Sequence, residues 1–157
     1  MLSHIDKNGN AKMVDISEKQ NTVRVAIASG YIKLNQETIS LVEIGNLKKG
    51  DVLTVAKIAA IQASKKTSDL IPLCHNINLN GIDIEFKIAN NEKKIYCQST
   101  VRCLGNTGVE MEALTAVSVA LLTIYDMCKA SDKNMIISEI RLLEKHGGKL
   151  GSWIAKD

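Results

Sequence analysis

The sequence predicts an α+β fold, on three observations about how apolar residues are arranged along the chain. Segments 82–88 and 95–103 alternate apolar and polar side chains with the period of two that is typical of half-buried strands. A short polar turn separates them, so the two strands are expected to form a hairpin. Segment 108–129 instead holds thirteen consecutive uncharged residues, 113–125, which is typical of a buried helix.

Composition limits the classes of protein to which the chain can belong. With 157 residues, of which 45% are hydrophobic, residues 1–157 are expected to form one domain with a buried core. The net charge of +3 is mild, and the twenty Lys and Arg residues favour an anionic small molecule over a long polyanion as ligand. One Trp, three Tyr and one Phe are too few for stacking many nucleic-acid bases. No signal peptide is recognisable, and the four cysteines form no CxxC pair. We therefore expect a cytoplasmic protein with reduced thiols, no metal, and neither membrane nor nucleic acid as partner.

The first half of the chain is expected to place one strand ahead of two helices. Residues 1–21 are polar and are expected to be irregular or mobile. β-Branched residues alternate with other residues in 22–34, which predicts a strand. Asn35 then caps a helix that ends at Gly45, and Asp51 caps a second helix.

The second half is expected to contain the hairpin, the apolar helix and a final strand. Residues 90–92 supply the hairpin turn. Thr107 and Glu110 match a capping box at the start of the apolar helix. Residues 134–145 alternate again and predict the last strand, whereas the glycine-rich tail 146–157 is expected to be irregular or mobile.

The predicted order of elements is strand, two helices, hairpin, helix and strand. This is the plan of a ferredoxin-like plait, an antiparallel four-stranded sheet with helices on one face. The other face of the sheet would need a partner subunit to cover it, so we expect a homo-oligomer.

Charged residues at the two ends of the apolar helix are the first candidates for catalysis. The capping box explains Glu110, whereas Glu112 is a candidate functional carboxylate, with an exposed carboxylate at a helix start as the alternative. Asp126 and Lys129 are three residues apart and therefore neighbours on one helix face. A carboxylate beside a lysine in an apolar setting can act as an acid or base of tuned pKa, and a surface ion pair is the alternative.

Two further groups of residues have the chemistry of a ligand site. Cys74 and His75 follow Leu73 in an extended segment, where neighbouring side chains point to opposite sides and are poorly placed to bind one metal. His75 is well placed to bind a ligand, although a buried, hydrogen-bonded histidine is the alternative. Several lysines near the ends of predicted elements could surround a phosphate chain, although most surface lysines only contact solvent and no GxxxxGK[ST] motif is present. These lysines are Lys48, Lys49, Lys65, Lys66, Lys129, Lys133, Lys145 and Lys149.

Five segments, taken together, have the pattern of a known family. They are MVDIS (13–17), KKGDV (48–52), DLIPLCH (69–75), TGVEMEALTAVSVALLTIYDMCKA (107–130) and RLLEKHGGKLG (141–151). In these segments the chain resembles the MoaC-type cyclic pyranopterin monophosphate synthases of molybdenum cofactor biosynthesis. The resemblance extends over nearly the whole chain.

The resemblance implies a cytoplasmic lyase that needs no cofactor. It would convert 3′,8-cyclo-7,8-dihydroguanosine 5′-triphosphate to cyclic pyranopterin monophosphate and release diphosphate. The catalytic residues would be Asp126, as acid and base, with Lys49, Lys129 and Lys145. The substrate contacts would be Leu73, Cys74, His75, Met111 and Glu112. The family assembles as a homohexamer, a trimer of dimers, with a ferredoxin-like core.

Helix geometry adds an expectation about where these sites lie. Glu112 and Asp126 are fourteen residues apart, roughly 21 Å along a helix, too far for one subunit to hold a nucleotide-sized substrate between them. We therefore expect composite sites at a dimer interface. One subunit would supply Leu73 to His75, Met111 and Glu112, and its neighbour Asp126, Lys129 and Lys145.

Two functions of other classes stay open from the residues alone. A small-molecule binding module would keep the lysines and would not need Asp126. A structural assembly protein would use the apolar helix only to join subunits.

Overall fold

A computed structural model describes residues 4–45, 51–149 and 151–156. In chain order the elements are β1 (Thr22–Lys33), α1 (Gln36–Ile44), α2 (Val52–Lys65), α3 (Thr67–Leu70), β2 (Gly81–Ala89), β3 (Lys94–Gly105), α4 (Glu110–Cys128), β4 (Ile136–His146) and β5 (Trp153–Ile154). These strands form one antiparallel sheet in the order β2-β3-β1-β4-β5. The predicted α+β class is confirmed.

The predicted number of four strands is wrong, because the sheet has a fifth strand in the tail that was expected to be irregular. β5 pairs with the end of β4, with Trp153 opposite Lys145. Gly147 and Gly148 both adopt positive φ, 97° and 80°, in the segment between β4 and β5. A strand of two residues is too short to produce an alternating pattern in the sequence.

Local side-chain chemistry fixes the starts of α1 and α2 as predicted. The Asn35 side chain accepts a hydrogen bond of 2.8 Å from the backbone N–H of Thr38, and the Asp51 carboxylate accepts one of 3.1 Å from that of Thr54. Gly45 ends α1 at φ 67°, a left-handed conformation that glycine adopts at little cost. Lys48 and Lys49, two of the lysines that could surround a phosphate chain, lie outside the described residues.

The predicted capping box at the start of α4 is wrong. α4 begins at Glu110, Val109 occupies the N-cap position, and no side chain caps this end of the helix. Glu110 instead forms an ion pair with Lys145 of β4. A tertiary contact therefore replaces the local hydrogen bonds that the sequence suggested.

The core lies between the sheet and the helices α2 and α4. Small residues such as Ala116 of α4 and Ala60 of α2 are completely buried there. A Cβ atom at Gly30 of β1 would lie 2.9 Å from Ile140 and 3.1 Å from Leu121, so glycine at this position permits close packing of α4 on the sheet. This packing holds α4, whose two ends carry candidate site residues, against the sheet.

α4 also has the length and composition of a helix that could cross a membrane. In the structure, however, 56% of the residues in its most apolar window are buried inside the protein. Residues such as Val117 and Leu121 belong to the core that joins the helices to the sheet. Packing within the protein therefore accounts for the apolar character of this helix.

Candidate active site

A cavity of about 720 Å³ opens beside the N-terminal end of α4. Its walls come from the segment that leads into β1, from the turn before α4, and from the end of β4 with the glycines that follow. Four cationic side chains and two carboxylates line it. They are Lys19, Arg24, Lys145 and Lys149, and Glu18 and Glu110. An excess of positive charge in a concave surface attracts anions.

Lys145 and Arg24 are two cations of this cavity that have hydrogen-bond partners in the structure. The Lys145 ammonium donates to the Glu110 carboxylate at 2.9 Å, and both side chains are partly buried. Arg24 Nε donates to the carbonyl oxygen of Gly105 at 3.3 Å. Each cation therefore has a fixed partner.

The pair Gly147-Gly148 gives Arg24 the space that it occupies. A Cβ atom at Gly148 would lie 2.0 Å from Arg24 Nη1, and one at Gly147 would lie 2.2 Å from the Val23 carbonyl oxygen. Side chains at these positions would displace the guanidinium or the strand. The two glycines therefore leave room for the Arg24 side chain and for the close approach of this segment to β1.

Glu112 is the most unusual titratable residue at this end of α4. Its side chain is almost wholly inside the protein, with 4% of the residue exposed. Burial raises the pKa of its carboxyl to about 7, and the charge of Glu110 adds to the rise. Burial is the main cause of the raised pKa values of the Cys74 and Cys103 thiols, and the charge of Glu112 is a further cause in both, so each thiol lies near Glu112. The carboxyl is thus poised to gain or lose a proton near neutral pH.

Replacing Glu112 with glutamine is expected to remove a pH dependence of folding stability. The folded-state pKa of about 7 exceeds the ordinary 4.5, so the folded protein keeps a proton that the unfolded chain has already released. The stability from this group is complete below about pH 4.5 and is lost as the pH rises through about 7. The loss reaches at most about 3 kcal/mol, at about 1.4 kcal/mol per pKa unit.

Urea unfolding at about pH 4 and about pH 8 measures this effect. Relative to the wild type, the Glu112→Gln variant should gain about 3 kcal/mol or less between these two pH values. Glu85→Gln, at an exposed position of β2, is the matched control and should follow the wild type. Equal behaviour of the two variants would contradict the assignment.

His75 lies half-buried in the segment that follows α3. Its Nε2 atom is 2.6 Å from the carbonyl oxygen of Val14. Together with Ile16 and Asn106 it lines a second cavity of about 150 Å³, next to the turn before α4. The histidine is therefore hydrogen-bonded, as the alternative interpretation held, and also accessible to a small group.

Asp126 and Lys129 lie at the other end of α4. The Lys129 ammonium is 2.7 Å from the Asp126 carboxylate, and 57% and 60% of the two side chains are exposed. The hydrogen bond and charge of Asp126 raise the pKa of Lys129. The predicted pairing is present, but the described part of the chain does not supply the apolar setting that would tune a carboxylate.

The structure separates the predicted site residues into two groups. Cys74, Glu112 and Lys145 belong to the N-terminal end of α4, together with their neighbours Leu73, His75 and Met111. Asp126 and Lys129 form the second group, and Lys49 lies outside the described residues. The expected grouping of Lys145 with Asp126 in one half-site is corrected, because Lys145 contacts Glu110 of the same chain. β4 runs antiparallel to α4, so the last residues of β4 lie beside the first residues of the helix.

Arg24 was not among the predicted site residues, although the sequence contains a signal for it. Arg24 occupies the same face of β1 as the buried residues Ala26 and Ala28. A charged residue in register with core alanines must find a polar partner or a cavity at the end of the strand.

Within the described residues, no group of three or more His, Cys, Asp or Glu side chains is arranged to hold a metal ion.

Comparison of the sequence with known proteins identifies a family and several relatives of this chain. The model of the MoaC family matches residues 13–148. The chain is 53% identical over 156 residues to the cyclic pyranopterin monophosphate synthase of Heliobacterium modesticaldum, which covers 99% of this chain and 98% of that protein. It is 54% identical over 152 residues to the protein of the same name from Peptoclostridium acidaminophilum, which covers 97% and 96%.

Proposed function

The chain belongs to the MoaC family, and from that premise we propose that it synthesises cyclic pyranopterin monophosphate. The substrate is 3′,8-cyclo-7,8-dihydroguanosine 5′-triphosphate, and the enzyme is a lyase that releases diphosphate in molybdenum cofactor biosynthesis. The observation that carries this proposal is the 53% identity, over 156 residues, to a protein of this name.

The cationic cavity suits the phosphate chain of this substrate. Lys145 and Arg24 are held at its wall, and both can donate to phosphate oxygens. Positive groups fixed in place before the reaction stabilise the negative charge that develops as diphosphate leaves. We assign Lys49 to the same task, as a further phosphate ligand.

The pair formed by Asp126 and Lys129 suits the proton transfers of the reaction. Opening and closing the rings requires a group that alternately accepts and donates a proton. Asp126 takes this role, and Lys129, at 2.7 Å, holds it in position and balances its charge. The ring system contacts Leu73, Cys74, His75, Met111 and Glu112.

We further propose that the two groups of residues meet across a dimer interface. Leu122, of which 58% is exposed, lies four residues before Asp126 and so shares its helix face. An exposed leucine beside an exposed ion pair favours coverage by a second subunit, which would also supply the missing apolar setting. The assembly is a homohexamer, a trimer of dimers.

The order of strands supports the assignment to a ferredoxin-like plait. β2, β3, β1 and β4 are neighbours in this order, which is the order that the β-α-β-β-α-β plan produces. β5 extends the sheet at the edge of β4.

The enzyme acts in the cytoplasm, which agrees with four free cysteine thiols, and we assign it no membrane or nucleic-acid partner.

Incubation with the cyclised nucleotide tests the function. Release of diphosphate, together with a fluorescent pterin after oxidation, is the expected result. A binding module would bind the nucleotide without releasing diphosphate, and a structural protein would do neither. Either outcome would refute the proposal.

Lys145→Met is expected to weaken binding of inorganic diphosphate by at least about tenfold, because it removes a charge-assisted hydrogen bond in the cavity. Lys156→Met is the matched control, since Lys156 is an exposed lysine outside the cavity. Isothermal titration calorimetry with diphosphate measures both variants. If both bind as the wild type does, the tail of β4 does not belong to the site.

A further inference from the structure

Residues 13–17 form a segment that we call the N-terminal strap. Val14 and Ile16 are half-buried, whereas Asp15 and Ser17 are exposed and 49% of Met13 is exposed. The Asp15 carboxylate accepts hydrogen bonds from the Ser17 N–H at 2.9 Å and the Ser17 hydroxyl at 2.6 Å. These bonds form a tight turn at the end of the strap. The strap thus has an inner side and an outer side.

Two backbone carbonyl groups of the strap contact the candidate site. The Val14 oxygen lies 2.6 Å from His75 Nε2, and the Ile16 oxygen accepts a hydrogen bond of 3.0 Å from Asn106 Nδ2. His75 follows Cys74, and Asn106 lies in the turn before α4. The strap therefore joins the segment that contains Cys74 and His75 to the turn before α4.

The chemistry of a carbonyl group determines where the His75 proton lies. A carbonyl oxygen can only accept, so the hydrogen bond to Val14 requires a hydrogen on Nε2. A neutral imidazole carries a single N–H, so Nδ1 then has a free lone pair. Without the strap, the ring could adopt either tautomer.

We propose that the strap selects the Nε2–H tautomer of His75 and thereby presents Nδ1 as a hydrogen-bond acceptor to an O–H or N–H group of the substrate. This inference rests on the proposed function, because the cyclised nucleotide offers such donors on its sugar and its ring. Val14 acts as a positioning residue through His75, and Ile16 fastens the strap through its contact with Asn106.

The charge of Asp15 supports the same arrangement. The pKa of the Asp15 carboxyl is lowered chiefly by its two bonds to Ser17, and the nearby charges of Lys12 and His75 lower it further. The ionised carboxylate therefore lies close enough to interact with the ring.

Ile16→Asp tests the proposal in the full-length chain, because a charge on the inner side of the strap should detach it. Met13→Asp places the same charge on the outer side and is the matched control. The readouts are the ¹⁵N shifts of the histidine rings, which distinguish the two tautomers, and the separate values of kcat and KM. The chain has three histidines, so His75 can be assigned with a single His75 variant.

The wild type and Met13→Asp should show the Nε2–H pattern, and their kcat values should agree within about twofold. Ile16→Asp should show a mixture of tautomers and a kcat lowered at least about tenfold, since misplaced groups lose the advantage of orientation. Asn106→Ala, which removes the second anchor and leaves the strap sequence intact, should change both readouts in the same direction. It provides the test if Ile16→Asp does not fold.

Three results would overturn the proposal. They are an Nδ1–H pattern in the wild type, an unchanged pattern after detachment of the strap, and a mixture of tautomers with unchanged kcat. The ring shifts are measured without substrate. A wild type with the Nε2–H pattern but no turnover would therefore refute the proposed function and leave the tautomer assignment standing.

Discussion

Asp126→Asn is expected to lower turnover of the cyclised nucleotide by at least about 10²-fold and to leave the oligomer folded. Asparagine has nearly the shape of aspartate and can still accept a hydrogen bond from Lys129, which lies 2.7 Å from the carboxylate. It cannot take up or release a proton at neutral pH. Loss of turnover without loss of structure therefore isolates the acid–base role.

Asp83→Asn is the matched control for this variant. Asp83 of β2 is also an exposed carboxylate in an ion pair, in its case with Arg102, but it lies outside both site groups. Diphosphate release should be close to that of the wild type for Asp83→Asn and nearly absent for Asp126→Asn. If the Asp126 variant releases diphosphate at a near-normal rate, Asp126 is only a member of a surface ion pair.

Local chemistry made a large part of the fold predictable. The caps formed by Asn35 and Asp51 use side chains within three residues of their targets, and the hairpin of β2 and β3 depends on an alternation that is visible in the sequence. Asp126 and Lys129 were paired from helical spacing alone. Features of this kind depend on neighbours in the sequence, so sequence patterns report them.

The features that the sequence did not predict depend on contacts between distant parts of the chain. The sequence pattern predicted that Glu110 belongs to a capping box, but its partner is Lys145, thirty-five residues later. Arg24 depends on Gly148 of the turn after β4, and His75 on the carbonyl of Val14. Backbone carbonyls and glycine Cα atoms leave little trace in residue patterns, so tertiary structure is required to find them.

The position of Lys145 changes what the composite-site model predicts. Lys145 and Glu112 belong to the same end of α4, whereas Asp126 and Lys129 belong to the other. If two α4 helices pack antiparallel about a twofold axis, the first end of one helix meets the second end of its partner. Each complete site then takes Glu112 and Lys145 from one subunit and Asp126 from the other.

Mixing two inactive variants tests this model. Glu112→Ala and Asp126→Ala should each be nearly inactive alone. After refolding together in equal amounts, about half of the dimers should contain one chain of each kind. In every mixed dimer one site carries both substitutions and the other carries neither. Activity should therefore return to roughly a quarter of the wild-type value.

A second mixture of variants is the control for this experiment, because activity should not return in it. Glu112→Ala mixed with Lys145→Met affects two residues of the same end of α4, so every site of a mixed dimer lacks one of them, and activity should stay close to that of the single variants. Lys145→Met mixed with Asp126→Ala should recover as the first pair does. Native mass spectrometry establishes that mixed dimers have formed. If mixed dimers are present and Glu112→Ala with Asp126→Ala restores nothing, both residues serve sites within one chain and the interface model is wrong.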